Sequence, residues 1–174
     1  MSNFHDKKVP DKIILGFDPG FADTGFGVIL KSGNRLKFID TGSIQTSKQD
    51  SFPRRLEYTY KQVDKLIKKY KPDVIGVEKL YFAKNAKTAL DVGQARGVLL
   101  LAIYQNKKEM LEFTPTQIKQ AVCGSGNAAK RQVGLMVKTI LNLKTVPQPD
   151  DAADALAVAI TASFFNKRLV HPIK

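Results

Sequence analysis

Apolar residues in this chain fall into short runs early on and into helical stripes further along. "KIILGFD" is an Ile- and Leu-rich run followed by the turn former "PG", which predicts a buried strand over 13–18. "GFGVILKS" and "RLKFIDTGSIQT" follow at hairpin distances, with "SGN" between them, so three strands open the protein. Leu56, Val63, Leu66 and Ile67 make one stripe of a helix over 53–71, and Lys61, Lys65, Lys68 and Lys69 largely decorate the rest as a solvated face. "PDVIGVE" (72–78) is a further buried strand that closes on an acid.

Beyond the polar and aromatic stretch "KLYFAKNAK", a long helix is expected over 87–106. Its "VLLLAI" is apolar around more than one face, which fits either a dimer interface or a helix sandwiched within its own monomer. "EMLEFT" (109–114) reads as a strand. "TPTQ" (114–117) reads as a helix start, with Thr114 as N-cap, Pro115 at the first helical position and Gln117 closing a capping box. "GSGNAAK" separates that short helix from another over 127–142, and the last helix is expected over 150–166. The order βββαβαβααα implies an α/β fold: a five-stranded mixed sheet, antiparallel hairpins extended by parallel crossovers, flanked by helices on both faces. Residues 13–166 read as a single domain, with a polar extension over 1–12 and a short tail over 167–174.

Charge changes the picture. The chain of 174 residues carries 28 Lys and Arg against 16 Asp and Glu, a net charge of +12, which points to a polyanionic partner and to nucleic acid before membrane. A single cysteine, Cys123, rules out an internal disulfide and suits a reducing cytoplasm. His5 and His171 both lie near the termini, which leaves a histidine base or histidine metal site without support. No apolar run reaches transmembrane length, and "MSNFHDKKVPDK" lacks the apolar core of a signal peptide.

The candidate chemistry is acidic. "ILGFD" (14–18) and "VIGVE" (74–78) share one pattern, in which the closing acid shares a strand face with the glycine two residues earlier. Gly16 and Gly76 leave room beneath Asp18 and Glu78 where a helix or a metal site crowds the sheet. "QPDDAADALAVAI" sets three further aspartates at the start of the last helix. Asp151 and Asp154, about 60° apart around a helix, share a face, as would Asp150 and Asp154. Four converging carboxylates resist ionisation unless cations sit among them, and oxygen ligands alone select Mg²⁺, with Mn²⁺ as a substitute. Two such ions ~4 Å apart suit phosphodiester hydrolysis.

"ILGFDPGFADTGFGVI", "IGVEKLYFAKNAKTALDVGQARGV" and "PQPDDAADALAVAIT" together resemble the RuvC-type bacterial Holliday-junction resolvases over about residues 13–163. The resemblance implies an RNase H-like fold and a homodimer that nicks two opposed strands of a four-way DNA junction in recombination and repair, leaving 5′-phosphate and 3′-hydroxyl ends. It implies Asp18, Glu78, Asp151 and Asp154 as catalytic metal ligands for Mg²⁺, and a branch-migration motor (RuvA and RuvB) as partner. Asp150 is then left as the N-cap of the last helix. An aromatic near Tyr81 and Phe82 is implied to stack on bases at the junction centre, Tyr81 being preferred, and stacking contributes ~1–3 kcal/mol per base. Lys119 and Lys130 match basic positions close to the scissile phosphate, and the long helix is the implied dimer interface. Two other readings are a non-catalytic DNA-binding protein on this scaffold and an actin-like ATP-binding protein using "DPG...DTG" (18–25). The second needs another lobe that 174 residues do not hold.

Overall fold

A computed structural model describes residues 10–80 and 86–165 of the chain. Five strands, β1 (Lys12–Asp18), β2 (Asp23–Ser32), β3 (Arg35–Gln45), β4 (Val74–Glu78) and β5 (Glu109–Phe113), form one sheet in the order β3-β2-β1-β4-β5. The hairpin strands β1, β2 and β3 pair antiparallel, while β1, β4 and β5 run parallel, so the sheet is mixed as expected. The helices are α1 (Phe52–Tyr70), α2 (Ala86–Gln105), α3 (Pro115–Cys123), α4 (Lys130–Ile140) and α5 (Asp150–Phe164).

Strand alternation divides the core into two layers. Leu15, Phe17, Val28, Ile75 and Val77 face Val63 and Ile67 of α1 and Leu99, Ala102 and Ile103 of α2. Ile14, Ile29 and Phe113 face the other way, against α3, α4 and α5. Helix α5 is the most deeply set element: Leu156, Ala157, Val158, Ala159 and Ile160 are fully buried. Its alanines matter, because only small residues let a helix lie this close to a sheet.

Local signals account for the element ends. Pro53 sits in the first turn of α1, and Lys71 ends that helix in a left-handed conformation (φ 48°). At α3 the capping box forms: Thr114 Oγ1 accepts from the Gln117 amide at 3.2 Å, and Gln117 Oε1 accepts from the Thr114 amide at 2.8 Å. The lysine-rich face of α1 is solvated, with Lys61 paired to Glu57 and Lys68 to Asp64 at i,i+4 spacing. Most of the extension expected over 1–12, and the whole tail over 167–174, lie outside the described residues, although Lys12 already belongs to β1.

Two expectations need correcting. The helix expected over 127–142 is shorter, starting at Lys130 and ending at Ile140. Asp150 is not the N-cap of α5: Pro149 holds that position, its carbonyl accepting from the Ala152 amide at 2.9 Å. A backbone group does what a side chain was expected to do, which frees the Asp150 carboxylate to turn toward Lys130, 3.4 Å away.

Candidate active site

Strands β1 and β4 lie side by side in parallel, with Phe17 opposite Val77, so Asp18 and Glu78 leave the sheet at the same end. The glycines behind them decide what can lie above. A Cβ on Gly16 would stand 2.2 Å from the carbonyl oxygen of Ala155 and 2.5 Å from the amide nitrogen of Ala159. One on Gly76 would meet Val158 Cγ1 at 3.0 Å. Helix α5 therefore runs against the bare backbone of β1, and its first turn is delivered over the strand ends.

Gly25, opposite Asp18 in the β1/β2 ladder, continues that track. It brings Asp151 down onto β2, and Asp154 follows one turn later on the same helix face. Asp18, Asp151 and Asp154 can each offer a carboxylate oxygen within 4.8 Å of the other two. Glu78 joins Asp18 and Asp154 in the lining of an adjoining pocket of ≈ 260 Å³, whose walls include Ile118, Val133 and Ala157. Lys119 and Lys130 line the same pocket. All six of these sequence-expected residues thus meet at one end of the sheet, while Tyr81 and Phe82 lie outside the described residues.

The electrostatics follow from that crowding. Burial, reinforced by Asp154 and Asp151, pushes the Asp18 carboxyl up to about 7. Burial, then the charges of Asp18 and Asp154, push Glu78 up to about 8, against some relief from Lys119 and Lys130. Asp151 is also raised, by burial first and by Asp23 second. Lys130 loses hydration, but its hydrogen bond to Asp154 and the charges of Asp154 and Asp150 outweigh that and hold its pKa above the usual lysine value. Its Nζ stands 3.0 Å from Asp154 Oδ2. The acids outnumber the ammonium groups near them, and no histidine or cysteine is among these donors. That combination fits hard divalent cations, which would lift the burial and repulsion costs together.

One nearby acid escaped the sequence reading. Asp23 begins β2 on the face it shares with Gly25 and Gly27, the face that carries α5. The signal was present in "DTGFG": an acid followed by two same-face glycines marks where a helix crosses the strand beside a charge.

On the opposite layer, α2 buries Leu99, Ala102 and Ile103 yet leaves Leu90, Leu101 and Tyr104 exposed at 69%, 49% and 82%. The three fall on one helical stripe with Gly97, beyond whose Cα the space is open. The surplus apolar face expected from "VLLLAI" is thus a surface feature and not an internal sandwich. Among the described residues, no helix is long and apolar enough to cross a membrane.

Residues 14–162 match the family model described as crossover junction endodeoxyribonuclease RuvC. A protein of that description from Alkaliphilus oremlandii is 52% identical over 148 residues, covering 85% of this chain and 90% of the relative. Another, from Natranaerobius thermophilus, is 50% identical over 151 residues, covering 87% and 94%. The Thermus thermophilus RuvC structure in complex with Holliday junction substrate superimposes with a TM-score of 0.83 at 34% identity, covering 88% of this chain and 93% of that one. The yeast mitochondrial Holliday junction resolvase Ydc2 shares the fold, with a TM-score of 0.66 at 15% identity over 86% of this chain and 78% of its own.

Proposed function

The chain belongs to the crossover junction endodeoxyribonuclease RuvC family, with its RNase H-like fold, and on that premise we propose that it resolves four-way DNA junctions by Mg²⁺-dependent, paired nicking of two opposed strands. The observation that carries the chemistry is the meeting of Asp18, Asp151 and Asp154 within 4.8 Å, beside Glu78, with too little positive charge to balance them. These four carboxylates would hold the cations. Bound there, divalent cations supply Lewis acidity, activating water and stabilising the departing 3′ oxygen.

The chain's own residues do the rest. Burial first and crowding by like charge second raise the affinities of Asp18 and Glu78 for protons, and a cation held between them would relieve both. Lys119 and Lys130 line the pocket beside the acids, which supports a role for them at the scissile phosphate, and Lys130 begins α4, where first-turn backbone amides would add to its charge. The net charge of +12 favours DNA in general, and discrimination for a junction is assigned to a homodimer presenting two sites symmetrically. The exposed α2 stripe of Leu90, Leu101 and Tyr104 is the surface that supports this dimer. Tyr81 or Phe82 stacking at the junction centre, work with a RuvA and RuvB branch-migration motor, and a cytoplasmic location belong to the same proposal.

A mobile synthetic four-way junction incubated with the protein and Mg²⁺ tests it, with strand mapping and a matched linear duplex as control. Paired cuts at symmetric positions on the junction, and none on the duplex, are expected. Salt-sensitive binding without cleavage would replace this reading with that of a non-catalytic junction-binding protein.

A further inference from the structure

Asp23 has three features that the four-acid site does not use. Its Oδ2 accepts from Gln45 Nε2 at 3.2 Å, but its Oδ1 is buried with no hydrogen-bond partner. A buried carboxylate oxygen without a donor is costly and calls for an explanation, such as an ion or a water. It shares the β2 face with Gly25, and Gly25 lies beneath Asp151. Its charge is felt by both Asp151 and Asp18. Among the described residues, no lysine or arginine is paired with it, so the strand sets an acid beside the acidic cluster without an ion pair of its own.

We propose that Asp23 is a further acidic residue of the cation site, its unpartnered Oδ1 serving a divalent cation held beside Asp151, directly or through that cation's water. This rests on the cation-dependent reading above and adds a fifth carboxylate to it. On this account Gln45 fixes one oxygen of Asp23 while the other is left for the ion. The chemistry is the same hard-oxygen chemistry as at Asp18, so the ion it serves is Mg²⁺ or Mn²⁺.

Mn²⁺ binding by the full chain, followed by titration calorimetry and by thermal melting with and without Mn²⁺, tests this apart from cleavage. Asp23→Asn is expected to weaken Mn²⁺ binding about 10-fold or more, the scale of losing a partner close to a metal. It is also expected to melt no lower than wild type without metal, because it removes a repelling charge, and to gain less from Mn²⁺. Gln45→Ala separates the structural alternative: if Asp23 acts only by holding its neighbour strand, this variant reproduces the loss. Asp23→Thr, a good strand former, repeats the measurement should the asparagine variant fold poorly. Wild-type Mn²⁺ affinity in the Asp23 variants, or an equal loss in Gln45→Ala, overturns the proposal while leaving the four-acid site standing. A wild type that takes up no Mn²⁺ overturns both.

Discussion

A Cβ on Gly25 would lie 2.0 Å from the carbonyl oxygen of Asp151, so β2 and the first turn of α5 touch backbone to backbone. No side chain at position 25 leaves that turn where it is. Gly25→Ala is therefore expected to lower stability by at least about 1–3 kcal/mol, the usual cost of overpacking. Urea unfolding midpoints measure this, and Mn²⁺ binding should weaken in the same variant because Asp151 is displaced.

Removing the central acid separates binding from chemistry. Asp18→Asn is expected to reduce Mg²⁺-dependent junction cleavage by more than about 100-fold, beyond the range for losing an outer partner of a metal ligand, while junction binding in a gel-shift assay persists. The metal-free variant should melt higher than wild type, since a carboxyl held up to about 7 by burial and like charges no longer has to ionise inside the fold. An Asp18→Asn protein that cleaves at the normal rate would remove the acidic cluster from the mechanism.

The same two carboxyls set a pH dependence. Asp18 and Glu78 start from ordinary values of 3.8 and 4.5 and stand at about 7 and about 8 in the fold. Between those limits the native state holds more protons than the unfolded chain, so stability falls as pH rises. Metal-free protein should thus unfold at lower urea at pH 8 than at pH 5, with the change concentrated between about 4 and 8. Mg²⁺ or Mn²⁺ should flatten the profile, and binding near pH 7 should release protons measurable by calorimetry in buffers of different ionisation enthalpy.

Neighbouring aspartates should behave differently. Asp151→Asn is expected to abolish cleavage, whereas Asp150→Asn, whose carboxylate is largely exposed and turned toward Lys130, should keep most of it. Lys130→Met is expected to cost roughly 10²–10³ in kcat, as for loss of one electrostatic donor to a transition state. Equal losses from the Asp150 and Asp151 variants in single-turnover assays would contradict this division of labour.

The α2 stripe gives a prediction about assembly. Leu101→Asp places a charge in the middle of the exposed apolar face without touching the inward-facing Leu99, Ala102 and Ile103. Sedimentation should show a monomer, circular dichroism an unchanged fold, and strand mapping a loss of paired cutting. A variant that remains dimeric would move the interface elsewhere.

Much of this was legible because local chemistry was strong. Short apolar runs placed β1 and β4, the repeated Gly-apolar-acid pattern singled out Asp18 and Glu78, and "TPTQ" marked the start of α3 by its capping box. What stayed hidden depended on distant partners. Helical spacing let Asp150 or Asp151 pair with Asp154, and Gly25, more than a hundred residues earlier, is what seats Asp151. The cap of α5 was misread because Pro149 satisfies the helix start through its carbonyl. Asp23 matters only once α5 lies across β2. The half-buried pair of Arg96 in α2 and Glu112 in β5 was equally out of reach, since neither residue has a local pattern that names the other.

Two of the four acids in the cleft end strands β1 and β4, and the other two open the last helix, which is also the most deeply buried element of the core. One element therefore completes both the core and the acidic cluster. A chain truncated before residue 150 has neither Asp151 nor Asp154 and lacks the helix that completes the α3/α4/α5 layer. Loss of that helix thus removes two of the four proposed cation ligands and one wall of the core together.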